Sequence, residues 1–348
     1  MASRPELRRF LADWAGDDGA RRPVAAAVEA VARACMDIAA RVAQGALAGD
    51  PAAVRGRNAQ GEAQKDLDLF ADASLMEAAR NAPVALYASE EIDAPAQLAA
   101  DAPLVLAVDP LDGSSNIDAN VAIGTIFSVL PAERPRATKA TPAFPLPGAR
   151  QLAAGYVVYG PRTELVLTVG CGTHAFTLDP RTRGFHLTRT ALSVAPHAAE
   201  FAINVSNYRH WEETVRTYVD DCLKGADGRR GKDFNMRWIA SLVAEAHRIL
   251  GRGGVFLYPA DARQGYAAGR LRLVYEANPI AFLIEQAGGA ATDGEWRILD
   301  LEPRDTHQRT PLVFGARDEV ASLQNMLRHD HALGDRSPLF GSRGLFRT

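Results

Sequence analysis

Five acidic residues follow three apolar runs. VALYAS (84–89) leads into Glu90 and Glu91, PLVLAV (103–108) into Asp109 and Asp112, and RLRLVY (270–275) into Glu276. In open α/β sheets, ligands bind beyond the carboxyl ends of the strands. If these three ends are neighbours, five carboxylates converge, and like charges a few ångströms apart raise one another's pKa steeply. Divalent cations are the simplest compensation. An oxygen-only set with neither His nor Cys selects Mg²⁺, with Mn²⁺ as a substitute, over zinc. Taken singly, each acid reads equally well as a solvated strand end or a helix cap.

The run after Asp112 supplies what a phosphate needs. Gly113 lets the backbone approach closely, and the amides of Gly113, Ser114 and Ser115 can point at anionic oxygens, with the serine hydroxyls as further donors. Alone, DGSS is an ordinary turn sequence. Beside metal-holding carboxylates it becomes half of a site for phosphoryl transfer to water, where catalysis is positioning and charge neutralisation.

These residues need elements to position them. The spacing of Val24, Val28, Val31, Cys35, Ile38 and Val42 predicts an amphipathic helix over 24–47, and a second helix is expected over about 66–80. Strands are expected at 84–89, 104–108, 124–130, 153–160, 164–170 and 173–179. After about residue 190 the pattern changes. FAINVSN (201–207), GGVFLYP (253–259) and RLRLVYE (270–276) read as strands, and Trp238, Leu242, Val243, Ala246 and Ile249 make a helical face. Asn278 followed by Pro279 reads as a capped helix start, and Gly288–Gly289 as its stop. Residues 131–150 read as an exposed loop and 336–348 as a mobile tail. This is an α/β pattern in two subdomains, 1–190 and 191–335.

Composition narrows the function. The chain has 348 residues, 47% of them apolar and 23% charged, an ordinary globular profile. A net charge of -3 gives no basic footprint for nucleic acid. No apolar run reaches the ~18 residues needed to cross a bilayer, and the first residues lack the apolar core of a signal peptide. Three scattered cysteines, Cys35, Cys171 and Cys222, suggest no disulfide framework and fit a reducing cytoplasm.

ASEE, DPLDGSSNID with GTIF behind it, GGVFLYP and RLRLVYEANPIAFLIEQAGG together resemble the class I fructose-1,6-bisphosphatases, members of the metal-dependent, lithium-sensitive sugar phosphatases. The resemblance runs from about residue 24 to 330. It implies a layered αβαβα fold with the active site between two subdomains. It also implies Mg²⁺-dependent hydrolysis of the 1-phosphate of fructose 1,6-bisphosphate, in gluconeogenesis or the Calvin cycle. Glu90, Glu91, Asp109, Asp112, Glu276 and the Leu111 carbonyl would hold the metal ions. Gly113, Ser114 and Ser115 would hold the 1-phosphate. Asp68, in QKDLDLFAD, would join Glu91 in orienting and deprotonating the attacking water. On its own, Asp68 reads as a helix-surface acid. The far phosphate would fall to Asn204, Tyr208, Arg237, Tyr258 and Arg270, with Arg237 supplied by a neighbouring subunit of a homo-oligomer, expected to be a tetramer.

Three departures stand out. The family's Tyr after the arginine is Trp238 here, and its Lys is Arg270, which replaces a point charge with a planar fork. The Lys-Tyr pair that binds AMP in the animal and enteric enzymes falls on Pro103 and Leu104, so AMP inhibition by those contacts is expected to be weak or absent. The 131–150 loop carries no cysteine, which argues against the plastid enzymes' thiol switch. Sedoheptulose 1,7-bisphosphate is the main alternative substrate. An inositol-type monophosphatase and a non-catalytic metabolite sensor are the more distant alternatives.

Overall fold

The computed structural model describes residues 4–57, 63–133 and 144–336. Half of the expected 131–150 loop, residues 134–143, and the tail from 337 lie outside the described residues. The chain builds α1 (Leu7–Ala15), α2 (Arg21–Gln44), a hairpin of β1 (Val54–Arg57) and β2 (Ala63–Lys65), and α3 (Asp66–Arg80). There follow β3 (Val84–Ser89), β4 (Ala96–Gln97), β5 (Leu104–Asp112), β6 (Ile123–Pro131), β7 (Ala153–Tyr159), β8 (Thr163–Thr168), β9 (Thr173–Asp179) and β10 (Gly184–Arg189). These eight form one sheet, ordered β10-β9-β8-β7-β6-β5-β3-β4.

The second half contributes β11 (Glu200–Ala202), α4 (Glu213–Lys224), β12 (Asn235–Met236), α5 (Leu242–Arg252), β13 (Val255–Tyr258), β14 (Leu271–Arg272) and α6 (Asn278–Gln286). It ends with β15 (Ala290–Thr292), β16 (Arg309–Thr310), β17 (Leu312–Gly315) and α7 (Arg317–Arg336). Its five-stranded sheet runs β12-β11-β13-β17-β15, and β14 pairs with β16 apart from it.

Three apolar clusters stack these parts into αβαβα layers. In the first, Val24, Val28, Val31, Cys35 and Ile38 of α2 pack with α1 and α3 on one face of the large sheet. In the second, Val243, Ala246 and Ile249 of α5 and Ile280, Leu283 and Ile284 of α6 lie between Ile126, Tyr156 and Val166 of the large sheet and Phe256 and Phe314 of the small one. In the third, Val215, Tyr218 and Val219 of α4 and Val320 and Leu323 of α7 cover the outer face of the small sheet. Fully burying each such aliphatic side chain stabilises the fold by about 1.5–3 kcal/mol.

Five sequence expectations change. RLRLVYE is strand only at Leu271–Arg272, and Leu273–Ala277 forms a π-helical turn that runs straight into α6. Glu276 therefore sits on a helical turn rather than at a strand end, and Asn278 is the first helical residue rather than a cap. FAINVSN is strand only through Ala202, after which Asn204 caps a 3₁₀ turn at Val205–His210. Trp238 precedes α5, which starts at Leu242 with Ser241 as its cap. The helix expected over 24–47 runs instead from Arg21 to Gln44 and tightens into a 3₁₀ turn at Gly45–Ala48.

Candidate active site

The large sheet brings the first two acid pairs together. β3 and β5 are parallel neighbours, so Glu90 and Glu91 emerge beside Asp109 and Asp112. In a regular strand, residues three apart face opposite sides. Here Asp109 pairs with Ile126 and Asp112 with Gly124, so β5 carries one more residue than β6 across this interval. That bulge cancels one step of the alternation and turns both carboxylates toward one pocket. Leu111 is buried on the bulge between them, and the Leu111 N–H donates to Asp109 Oδ1 at 3.0 Å.

Asp109, Asp112 and Glu276 are all buried, and each places a carboxylate oxygen within 4.8 Å of the others. Burial pushes the Asp109 carboxyl well above the usual carboxylate range, and the charges of Glu90, Glu276, Asp112 and Glu91 add to the effect. The other four acids are thus all within electrostatic reach of Asp109. Glu276 is likewise raised by burial and by Glu90. Asp112 is raised by burial, but three donors at the start of α5 oppose the shift. These are Ser241 Oγ at 2.8 Å, the Leu242 N–H at 3.2 Å and the Val243 N–H at 2.9 Å. α5 can come this close because Gly124 lacks a Cβ; one there would stand 2.6 Å from Val243 Cγ2.

A buried arginine lies against the cluster. Arg272 Nε lies 3.3 Å from Glu90 Oε1, and its backbone N–H donates to Glu276 Oε2 at 2.5 Å. Gln64 Nε2 donates to Glu91 Oε2 at 2.7 Å. His307 Nε2–H holds the Ile92 carbonyl at 3.0 Å, just past the Glu90–Glu91 turn. A buried, oxygen-only group of carboxylates with raised pKa values fits a hard divalent cation. Sequence reading missed Gln64, Ser241, Arg272 and His307, because each acts through a neighbour that only the fold supplies.

Asp68 lies in the first turn of α3 and is 2% exposed rather than a surface acid. Its Oδ2 accepts the Lys65 N–H at 2.7 Å, while its buried Oδ1 has no hydrogen-bond partner among the described residues. Burial outweighs the Lys65 contributions and pushes the carboxyl up to about 6. Lys65 Nζ donates to the Ser114 carbonyl at 3.0 Å and to Asp118 at 3.2 Å, which ties α3 to the segment after β5. In that segment Gly113 has φ +77, and Ser114–Asn116 form a 3₁₀ turn. A Cβ on Gly113 would stand 2.9 Å from Ser241 Cβ, so both conformation and space require glycine.

The five distal candidates divide. Tyr258 and Arg270 belong together: burial raises the Tyr258 phenol, the charge of Arg270 opposes this, and Glu276 also acts on it. Glu276 of the acid cluster is thus among the charges that reach Tyr258. Asn204 Oδ1 accepts from the Ser206 N–H at 3.2 Å, and the Tyr208 hydroxyl donates to Asp220 at 3.0 Å. Arg237 is exposed, donates to the Met236 carbonyl and approaches Glu200 at 3.8 Å. None of these three bonds to Tyr258 or Arg270 among the described residues. Trp238, next to Arg237 in the chain, has its ring centroid 6.0 Å from Phe256, which it stacks on, and 6.1 Å from Tyr258.

Fold and site define a layered α/β protein with a buried acid cluster beside a backbone nest. Two family models match it: Fructose-1-6-bisphosphatase, N-terminal domain, over residues 15–190, and Fructose-1-6-bisphosphatase, C-terminal domain, over residues 194–328. A class 1 fructose-1,6-bisphosphatase of Rhizobium meliloti is 56% identical over 344 residues, covering 98% of this chain and 99% of the relative. One from Azorhizobium caulinodans is 56% identical over 319 residues, covering 91% and 97%. The crystal structure of Leishmania major fructose-1,6-bisphosphatase in holo form superposes with a TM-score of 0.85 at 32% identity, covering 94% of this chain and 99% of that one. The chain belongs to the fructose-1,6-bisphosphatase family.

Proposed function

We propose that the chain hydrolyses the 1-phosphate of fructose 1,6-bisphosphate to fructose 6-phosphate and inorganic phosphate, with Mg²⁺ as the resident cation. The observation that carries this reading is the convergence of Asp109, Asp112 and Glu276 within 4.8 Å, beside the Gly113 turn. Glu90, Glu91, Asp109, Asp112, Glu276 and the Leu111 carbonyl would hold the cation. When bound, Mg²⁺ supplies charge neutralisation at the phosphate and acidifies water.

The chain's own residues do the rest. The amides and hydroxyls of Gly113, Ser114 and Ser115 receive the 1-phosphate oxygens. Asp68, ionised above about pH 6 and with Oδ1 open, takes the proton of the attacking water, and Glu91 orients that water. Tyr258 and Arg270 meet the far phosphate, joined by Asn204 and Tyr208, and by Arg237 from a neighbouring copy in a homo-oligomer, read as a tetramer. The metal and 1-phosphate residues up to 190 form one subdomain and the distal residues of 191–335 the other. In this reading the enzyme works in the cytoplasm, in gluconeogenesis or the Calvin cycle. AMP has no purchase at Pro103 and Leu104, since Leu104 is buried in β5.

Phosphate release across a panel of sugar phosphates, with and without Mg²⁺ and AMP, tests this. The expected result is Mg²⁺-dependent release from fructose 1,6-bisphosphate, little change with AMP, and a lower kcat/KM for sedoheptulose 1,7-bisphosphate. Release from inositol monophosphates alone, or from no sugar phosphate, would overturn it.

A further inference from the structure

We propose that Tyr266 is a positioning residue for Arg270, holding its guanidinium in a fixed orientation at the far end of the substrate site. The proposal rests on the reading of Arg270 as a distal-phosphate anchor. Arg270 Nη1 donates to the Tyr266 hydroxyl, and its guanidinium carbon lies 4.6 Å from the centroid of the Tyr266 ring. A second arginine, Arg263, lies over the same ring at 4.1 Å. Arg263 is itself clamped by Asp261, through Nε at 2.9 and 3.1 Å and through Nη2.

The charges are divided accordingly. Arg263 is neutralised by Asp261, whereas no carboxylate pairs with Arg270 among the described residues. Arg270 is therefore the cation left to meet an anion, and Tyr266 the surface that orients it.

The tyrosine sits on an ordered loop, between β13 and β14. The Tyr266 N–H donates to the Arg263 carbonyl at 3.0 Å, and the Tyr266 carbonyl accepts from the N–H groups of Asp261 and Gly269 at 3.3 and 3.0 Å. The Ala262 N–H reaches the His210 carbonyl at 3.1 Å, which fastens the loop to the segment after β11. At the other end Gly269 has φ +79, and a Cβ there would stand 2.2 Å from the Thr310 carbonyl carbon, so only glycine lets the loop close against β16. An arginine gripping a ligand from free solution loses rotamer freedom on binding. Arg270, already held by hydrogen bond and stacking, has lost it beforehand. A planar fork can be held this way, whereas a lysine ammonium offers no plane to stack.

Steady-state kinetics on fructose 1,6-bisphosphate and on fructose 1-phosphate, which lacks the far phosphate, test the proposal. Tyr266→Ala is expected to raise KM for the bisphosphate about tenfold, and Tyr266→Phe about threefold, with kcat within about twofold. Neither should change kcat/KM for fructose 1-phosphate, and Tyr266→Ala should add nothing to Arg270→Ala. An unchanged KM in Tyr266→Ala, with a raised KM in Arg270→Ala, would overturn the positioning role and leave the anchor intact. An unchanged KM in Arg270→Ala would overturn the anchor and the positioning role with it. Equal losses on both substrates would reduce Tyr266 to a structural residue.

Discussion

The molecule buries carboxylates in two places and treats them in opposite ways. Glu164 on β8 is 3% exposed. Burial alone would raise its pKa, but its neighbours outweigh that and hold it down at about 2. They are His247 Nε2 at 2.9 Å, Arg162 Nε at 2.7 Å and the Thr177 hydroxyl at 3.0 Å. Asp109 and Glu276 are buried to a similar degree and are raised well above the usual range. The two sites are joined by one helix: α5 caps Asp112 with its first residues and reaches Glu164 with His247. The difference teaches which site is structural. Glu164 is compensated by the cations beside it, whereas Asp109, Asp112 and Glu276 converge with raised carboxyls and call for a cation from outside.

The strongest way to break this contrast is at Asp112. Asp112→Asn keeps a side-chain oxygen to cap α5 but removes a charge from the cluster. Turnover is expected to fall on the order of 10³-fold, with the fold retained by circular dichroism. Near-normal activity would mean that the cluster is not catalytic. Asp68→Asn is expected to cost on the order of 10²-fold in kcat. It should also remove the acid limb of the pH–rate profile, because the native carboxyl loses its proton near pH 6 and activity should rise through that value. A limb that survives the substitution would assign it to another group.

Glu164→Gln tests the other side. Breaking this buried network should cost about 3 kcal/mol by urea unfolding, while kcat stays within about twofold. A large loss of kcat at unchanged stability would erase the distinction. The smallest effect is on pH-dependent stability. The folded pKa of Glu164 is depressed, so its contribution is present above the ordinary value near 4.5 and is lost as pH falls toward about 2. Asp109 and Glu276 are raised, so in metal-free protein they destabilise increasingly as pH climbs above their ordinary values near 4. Mg²⁺ should therefore raise Tm more at pH 8 than at pH 5, and an equal shift at both would contradict the assignment.

Much of the site can be read from the amino-acid order, because an apolar run ending in acids survives without knowledge of its partners. The bulge that turns Asp109 and Asp112 the same way cannot, since it exists only in register with β6. LRLVYE is apolar enough to be strand or helix, and the π-helical turn at Glu276 follows from its junction with α6. The burial of Asp68 follows from how α3 packs, which spacing within α3 does not disclose. Helix α4 was legible in principle: Val215, Tyr218, Val219 and Cys222 carry helical spacing, but they stand among polar residues and go unassigned. Arg272 is hidden for a similar reason, since a basic residue in a strand reads as exposed and here is 1% exposed.

The most direct test of the central claim is calorimetric titration of Mg²⁺ into metal-free protein at about pH 5, just above the ordinary carboxylate range, repeated in buffers of different ionisation enthalpy. Carboxylates with raised pKa values hold protons that a cation must displace. The account predicts binding with net proton release, both lost or strongly weakened in Asp112→Asn. Binding without proton release, or binding unchanged in Asp112→Asn, would contradict it.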